Sequence, residues 1–304
     1  MISEQISFFV TALQQHDYPI SVGRRPSPSS LNVVIENFSP PNRDVLLEFC
    51  RSSRKRVAMI MTEHLDFEQG RIFFHGVPLG TESDYILAET AIGRVTRVLE
   101  CLPHLRCVFV LGDLPELRNM TRMLPGLDIR SIPFPRIHSV VTQDGACAQE
   151  TTCDLVFTGG LTRYRSQILA ELGNAGFSLV YPKTYLSRRG RNAINRAGKM
   201  VLNIPQREGW RWLSLMRILA GLQTGRPTIS LGTSDGSRIA SSCTQLDITK
   251  QDWVGELRQL LGHWKSLYLR DMGSYEVMVE TYERERGFPH DVFDFWSVTD
   301  GLIA

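Results

Sequence analysis

Residues 154–230 alternate twice between short apolar runs and helix-period segments, with glycines at the run ends, and this pattern admits little but a parallel α/β sheet. The stretch opens DLVFTGGLTRYRSQILAELGNAGFSLVYP. Asp154–Thr158 suits a strand buried on both faces, as parallel strands are. Ser166–Leu172 reads as a helix that Gly173 or Gly176 can stop, and Phe177–Val180 is the next strand. KMVLNIP supplies another strand, and MRILAGLQTGRPTIS a helix followed by a strand. Gly159 and Gly160 fall at the carboxyl end of the first strand, the edge where open α/β sheets bind ligands. Glycine there lets backbone approach a phosphate closely, and the amides opening the next helix can bind it.

An earlier alternation fills the first ~140 residues, again of the kind that builds a parallel sheet. Glu4–Gln15 reads as an amphipathic helix, and GRRPSPSS as a turn region. Leu31–Ile35, Arg56–Met61, Cys107–Leu111 and Asp128–Ile132 read as strands. Pro41–Arg51, Tyr85–Cys101 and Glu116–Met123 read as helices, and Arg71–His75 is a further short strand or an excursion. The stretch PFPRIHSVVTQDGACAQETT interrupts the rhythm and predicts a hinge over residues 134–152. The expectation is two Rossmann-like domains facing across a cleft, residues 1–140 and 151–304, with a helical carboxyl-terminal segment. Within that segment, Asp252–Leu269 places Trp253, Leu257, Leu260, Leu261, Trp264 and Leu267 near a 3.6-residue period.

Chemistry-bearing residues gather at the predicted strand ends. Thr62, Glu63 and His64 follow the second strand, Glu36 and Asn37 the first, and Asp113 the third. Glu63 and His64 are the candidate catalytic bases, with strand-end solvation or helix capping as the structural alternative. Arg163 and Arg165 follow the glycine turn, where the helix dipole opposes cations and an anionic ligand would explain them. Asn203 ends the MVLNI strand and can bond a base, a ribose or a neighbouring loop. A basic patch runs from Lys183 through Arg188, Arg189, Arg191, Arg196 and Lys199 to Arg211, with Glu208 its sole acid. Arginine's planar fork suits phosphate oxygens, and a solvated helix face is the alternative for most of the patch. Trp210 and Trp212 can stack on a base or pack in the core.

Three of these segments together resemble the nucleotide-binding half of GT-B glycosyltransferases, notably bacterial family 1-like proteins of the spore-maturation type. TGGLTRYR matches their strand, small-glycine turn and arginines; KMVLNIP matches a Lys-x-x-Leu-Asn-Ile strand; RILAGLQTGRPTIS matches an Arg-Ile helix, a glycine and a strand. The resemblance covers the second half of the chain. It implies a nucleotide-diphosphate sugar as co-substrate, bound by Gly159, Gly160, Arg163, Arg165, Lys199, Asn203 and Arg217. It further implies an unidentified acceptor on the first half, closure of the two domains, and a final helix returning onto the first domain, for which FPHDVFDFW is suited. It implies no cofactor and no bound metal, with arginine and lysine serving at the diphosphate. Many relatives carry an acidic residue just after the last strand; this chain has SLGTSDG, so no residue is assigned to the donor ribose.

Composition sets the remaining bounds. A hydrophobic content of 42% and a charged content of 22% describe a globular chain, and a net charge of +2 does not favour nucleic acid as partner. Six cysteines lack zinc-type spacing and read as reduced, buried thiols. MISEQISFFVTALQQ lacks a basic leader region and no run is long enough to span a membrane, so a cytoplasmic location is expected. Two other functions stay open: a catalytically degenerate scaffold or regulatory partner, and a transferase acting on modified nucleic acid through Arg51, Arg54, Lys55 and Arg56.

Overall fold

Both alternations fold into parallel sheets in a computed structural model of the chain, which describes residues 2–36, 38–138, 150–184 and 186–294. The elements begin with α1 (Ile2–Gln14), β1 (Val33–Ile35), α2 (Pro40–Ser53) and β2 (Val57–Ile60). Three short strands follow, β3 (Leu65–Glu68), β4 (Arg71–Phe74) and β5 (Val77–Pro78), then α3 (Ala88–Cys101). After these come β6 (Leu105–Leu111), β7 (Leu117–Arg118), α4 (Met120–Met123) and β8 (Ile129–Ile132). The main sheet runs β1-β2-β6-β8 with every pair parallel. All four residues of β2 are buried, as a central parallel strand requires. Helix α2 starts where Ser39 accepts from the Asn42 amide and Pro40 opens the first turn without needing a donor.

A second, smaller sheet was legible only as the uncertain strand at Arg71–His75. It runs β5-β4-β3-β7, an antiparallel meander that β7 joins in parallel. The helix expected over Glu116–Met123 is thereby cut short. Leu117 and Arg118 hydrogen-bond to β3, and Asn119 adopts φ 58°, so only one helical turn remains.

The second alternation builds β9 (Cys153–Val156), α5 (Arg163–Asn174), β10 (Leu179–Val180), α6 (Arg188–Ala197) and β11 (Gly198–Asn203). It continues with α7 (Leu215–Gln223), β12 (Thr228–Leu231), β13 (Thr244–Leu246), α8 (Trp253–Gly262) and α9 (Trp264–Glu285). The sheet order is β10-β9-β11-β12-β13, parallel throughout. Leu155, Met200, Leu202, Ile229 and Leu231 bury one face against Ile168, Leu169 and Leu172 of α5 and Trp253 and Leu257 of α8. The single helix expected over Asp252–Leu269 is two, divided at His263 after Gly262. Helix α7 packs so close that a Cβ at Gly221 would lie 2.4 Å from Thr228 Oγ1. Arg226, fully buried, donates to the carbonyls of Arg196 at 2.5 Å, Gly198 at 2.5 Å and Gly225 at 3.0 Å, with its Cζ 5.0 Å from the Trp264 ring. It ties the end of α6 to the start of β11 and to the turn before β12.

The chain divides into two compact units, one comprising residues 136–281 and the other residues 4–135 with residues from 282 onward. The boundary lies inside α9, and the sequence after Thr281 belongs with the amino-terminal unit instead of the second domain. Tyr282 donates to the Gly112 carbonyl at 2.9 Å and meets Phe134 edge-on at 5.3 Å. Phe293 stacks on Phe109 at 5.5 Å, and Phe288 on His16 at 4.4 Å. Residues 139–149, most of the expected hinge, lie outside the described residues, as does Cys147. The five described cysteines are buried free thiols, and burial pushes Cys101 up to about 11 and Cys107 up to about 12.

One carboxyl in α9 gives the fold an unusual response to acid. Asp271 is fully buried, and burial pushes its pKa up to about 6 despite the Arg270 guanidinium at 2.6 Å. Between roughly pH 4 and 6 the folded state holds a proton that the unfolded chain releases. This contribution is fully present below that window and is lost as pH rises through it, by about 3 kcal/mol at most. Asp271→Asn should therefore flatten the loss of stability from pH 4 to 7.5. Urea midpoints of both proteins at the two pH values test this, and equal slopes would reject it.

Candidate functional site

The carboxyl edge of the first unit's main sheet carries a buried polar cluster. Thr62, Glu63 and His64 link β2 to β3, and Glu36 follows β1. One Glu63 oxygen bonds Nε2 of His75 and the other pairs with Arg94. Arg94 also reaches Glu36 at 2.9 Å, and the Thr62 hydroxyl donates to the same Glu36 oxygen. Glu36 is 1% exposed, and Glu63 and His64 are 8% exposed. Burial pushes Glu36 up to about 7, against the pull of Arg94 and with help from the Glu63 charge. Burial also opposes ionisation of Glu63, but the His75 and Arg94 interactions outweigh it and hold that carboxyl below its usual range. The two carboxyls sharing Arg94 are thus driven to different protonation states, the arrangement by which sites separate acid from base.

His75 occupies the turn between β4 and β5 with φ 52°, a left-handed conformation that a residue with a side chain adopts at some strain. Its ring is boxed by Phe74 at 4.3 Å, His64 at 5.6 Å and Tyr85 at 6.2 Å. Its backbone amide donates to the His64 carbonyl at 3.0 Å. His64 itself accepts the Glu116 amide at Nδ1, at 3.0 Å, which fixes Nε2 as its protonated nitrogen. An ionised Glu63 fixed by two donors is a weak proton acceptor but a strong orienting partner for an imidazole. Asp113 lies just past β6 at the same sheet edge, and Asn37 lies outside the described residues.

In the second unit, the carboxyl edge holds the glycine turn. Thr162 caps α5 by accepting the Arg165 amide at 3.3 Å, and its hydroxyl donates to the Gln206 carbonyl at 2.7 Å. Arg163 begins the helix and is exposed, as is Gly160. Arg217, on α7, is oriented by Asn203, whose Oδ1 accepts it at 2.6 Å while Nδ2 donates to Ser230 Oγ at 2.7 Å. The Arg217 Cζ lies 5.1 Å from the Phe157 ring centre, a cation–π contact. A Cβ at Gly159 would lie 2.6 Å from Arg217 Nη2 and 2.6 Å from that ring, so only glycine lets the turn sit against this guanidinium. A polar chain continues from Ser230 to Thr233 at 2.7 Å, and from Thr233 to Gln245 at 2.8 Å. In the SLGTSDG loop, the buried Asp235 carboxylate accepts the Leu213 amide at 2.6 Å and thereby anchors the loop before α7.

Gly159, Gly160, Arg163, Asn203 and Arg217 thus gather at one edge, and the side chains of two other expected residues, Arg165 and Lys199, are engaged elsewhere. Arg165 is 4% exposed and donates to the carbonyls of Gly160 at 2.8 Å, Ile204 at 2.7 Å and Pro205 at 3.2 Å. It braces the turn against the loop after β11, so its guanidinium is spent on backbone. Lys199 sits near the amino end of β11, level with Asp154, which it meets at 2.8 Å. At about 3.3 Å per residue, that is roughly 13 Å along the strand from Asn203. Asn203 is itself buried and acts on Arg217, and Trp212 is buried beneath Arg211 at 4.8 Å.

His75 and Arg94 are the residues the sequence reading missed. Arg94 lay on a predicted helix without being singled out, and His75 in a turn whose left-handed backbone gave it no motif. Among the described residues, no three His, Cys, Asp or Glu side chains gather to hold a metal ion, and no helix is long and apolar enough to cross a membrane.

No family model matches the chain and no curated protein matches its sequence. Solved structures with some likeness include a UDP-forming α,α-trehalose-phosphate synthase of Burkholderia xenovorans, at 9% identity and a TM-score of 0.44, covering 93% of this chain and 78% of that one. A UDP-forming α,α-trehalose-phosphate synthase of Burkholderia vietnamiensis gives 8% identity and 0.45, covering 97% and 78%. A sucrose-phosphate synthase of Thermosynechococcus elongatus gives 9% and 0.40, covering 90% and 96%.

Proposed function

We propose that the chain is a GT-B-type glycosyltransferase that moves a sugar from a nucleotide-diphosphate donor to an acceptor hydroxyl. The observation that carries this reading is the Arg217 guanidinium, oriented by Asn203 against Gly159 beside the opening of α5. A glycine turn, helix amides and a fixed fork form a ready site for a diphosphate, and Arg163 adds an exposed cation at its rim. These groups stabilise the charge that builds on the departing diphosphate without a bound metal. On the first unit, Glu63 holds His75 through Nε2, and His75 takes the acceptor's proton at Nδ1, which is buried in this structure, so the step requires the side chains around the ring to move aside. Glu36 sits across Arg94 and holds the guanidinium in place beside Glu63.

A panel of nucleoside diphosphates, read by thermal shift, tests the donor half. A ligand at a hundredfold excess over its Kd stabilises the fold by about 2.7 kcal/mol. Arg217→Ala should weaken the binding nucleotide by about 10–100-fold, the range of a charge-assisted hydrogen bond. Asn203→Ala should weaken it less, because the guanidinium stays but loses its orientation. Lys199→Ala should leave affinity unchanged. Binding by no nucleoside diphosphate would reject the reading, and binding without transfer of any sugar would favour a regulatory partner.

A further inference from the structure

We propose that the corner of the second unit's sheet at the carboxyl end of its edge strand β10 docks on an anionic lipid surface. Ten large apolar side chains are exposed among the described residues, and three of them, Val180, Tyr181 and Leu186, lie in one short segment at this corner. Scattered exposed apolar residues need no explanation, whereas a cluster marks a contact surface. Val180 ends β10, where its carbonyl accepts the Phe157 amide at 3.0 Å, and Tyr181 and Leu186 follow on the way into α6.

Charge points to the occupant. Lys183, Arg188 and Arg189 are exposed beside the apolar residues, and the sequence holds no Asp or Glu between Glu171 and Glu208. Arg188 and Arg189 open α6, where the helix dipole disfavours cations, so helix stability does not account for them. Aliphatic side chains ringed by cations fit the headgroup boundary of a bilayer, the apolar groups entering it and the cations meeting lipid phosphate. The contact rests on the membrane surface and does not span it, consistent with the lack of a spanning helix among the described residues.

Co-sedimentation of the full chain with vesicles tests the proposal. The protein should partition onto vesicles of equal parts phosphatidylcholine and phosphatidylglycerol in low salt. It should leave them in high salt and ignore pure phosphatidylcholine. Each cation near such a surface contributes about fivefold to partitioning, so Arg188→Gln with Arg189→Gln should reduce it by about 30-fold. Tyr181→Ser with Leu186→Ser should reduce it by about tenfold. If either double variant melts early, Lys183→Gln with Arg189→Gln takes its place, with the same expected loss as the arginine pair. Absence of binding to the anionic vesicles would overturn the proposal, as would binding that none of these variants reduces. Retention of an RNA oligonucleotide without vesicle binding would overturn it in favour of nucleic acid.

Discussion

Glu63→Gln should lower sugar transfer by about 10²–10⁴-fold, the range of a lost proton-transfer function, while donor affinity stays as it was. The reasoning starts from the bonds of Glu63. Its two oxygens hold His75 and Arg94, and their pull keeps the carboxyl ionised although it is buried. A carboxylate only accepts hydrogen bonds, so it requires the proton of His75 on Nε2 and leaves Nδ1 as the basic nitrogen. Glutamine has the same shape but one donor end. With its oxygen drawn to Arg94, its amide nitrogen faces His75 and favours the tautomer protonated at Nδ1. The base is then blocked without any loss of packing. His75→Gln should have a similar effect, and the double variant should be little worse than either, because the two residues act as a unit. Steady-state turnover, with nucleotide affinity measured alongside, checks this. Near-normal transfer by Glu63→Gln would exclude the dyad. Loss of nucleotide binding would show that the donor rests on the other unit.

The second large effect concerns stability. Arg226→Met should destabilise the fold by about 3–5 kcal/mol, although methionine matches the length of the arginine stem. The guanidinium donates to three backbone carbonyls in a site closed to water. The Arg196 carbonyl lies in the last turn of α6, where helix carbonyls lack internal partners and the dipole is negative. Methionine leaves these oxygens dry, at a cost of about 1–3 kcal/mol for each that finds no other donor. Release of the buried cation offsets part of that. Arg226→Lys should fall in between, since one ammonium cannot fan across three acceptors as a planar fork does. Urea denaturation reads the difference, and an unchanged midpoint would mean that water takes over the donors.

Much of this architecture is legible in the residue pattern, because a buried parallel strand is a local feature. Runs such as VAMI and MVLN announce themselves, and the glycine turn follows from where one of them ends. The site is less legible, because it is made by contacts across the sequence. Glu63 meets His75 and Arg94, one in a turn and one on a helix, and no periodicity relates the three. Two misplacements were readable in principle. Arg165 shares a helical stripe with the buried Ile168, Leu169 and Leu172, which already turns it inward. Lys199 and Asn203 stand near opposite ends of one strand, so a ligand at the carboxyl edge can meet only the second.

The unit boundary inside α9 bears on the order in which the protein can be made. The second unit is continuous in sequence, whereas the amino-terminal unit needs the chain from Tyr282 onward to complete its aromatic packing. A growing chain emerges with its first residues foremost, and domains generally fold as units. Here the unit synthesised first must wait until the second has been made, its Phe109 and Phe134 lacking the partners that Phe293 and Tyr282 later supply. During that interval an unfinished apolar surface is exposed, and the half synthesised in the middle is the first able to close.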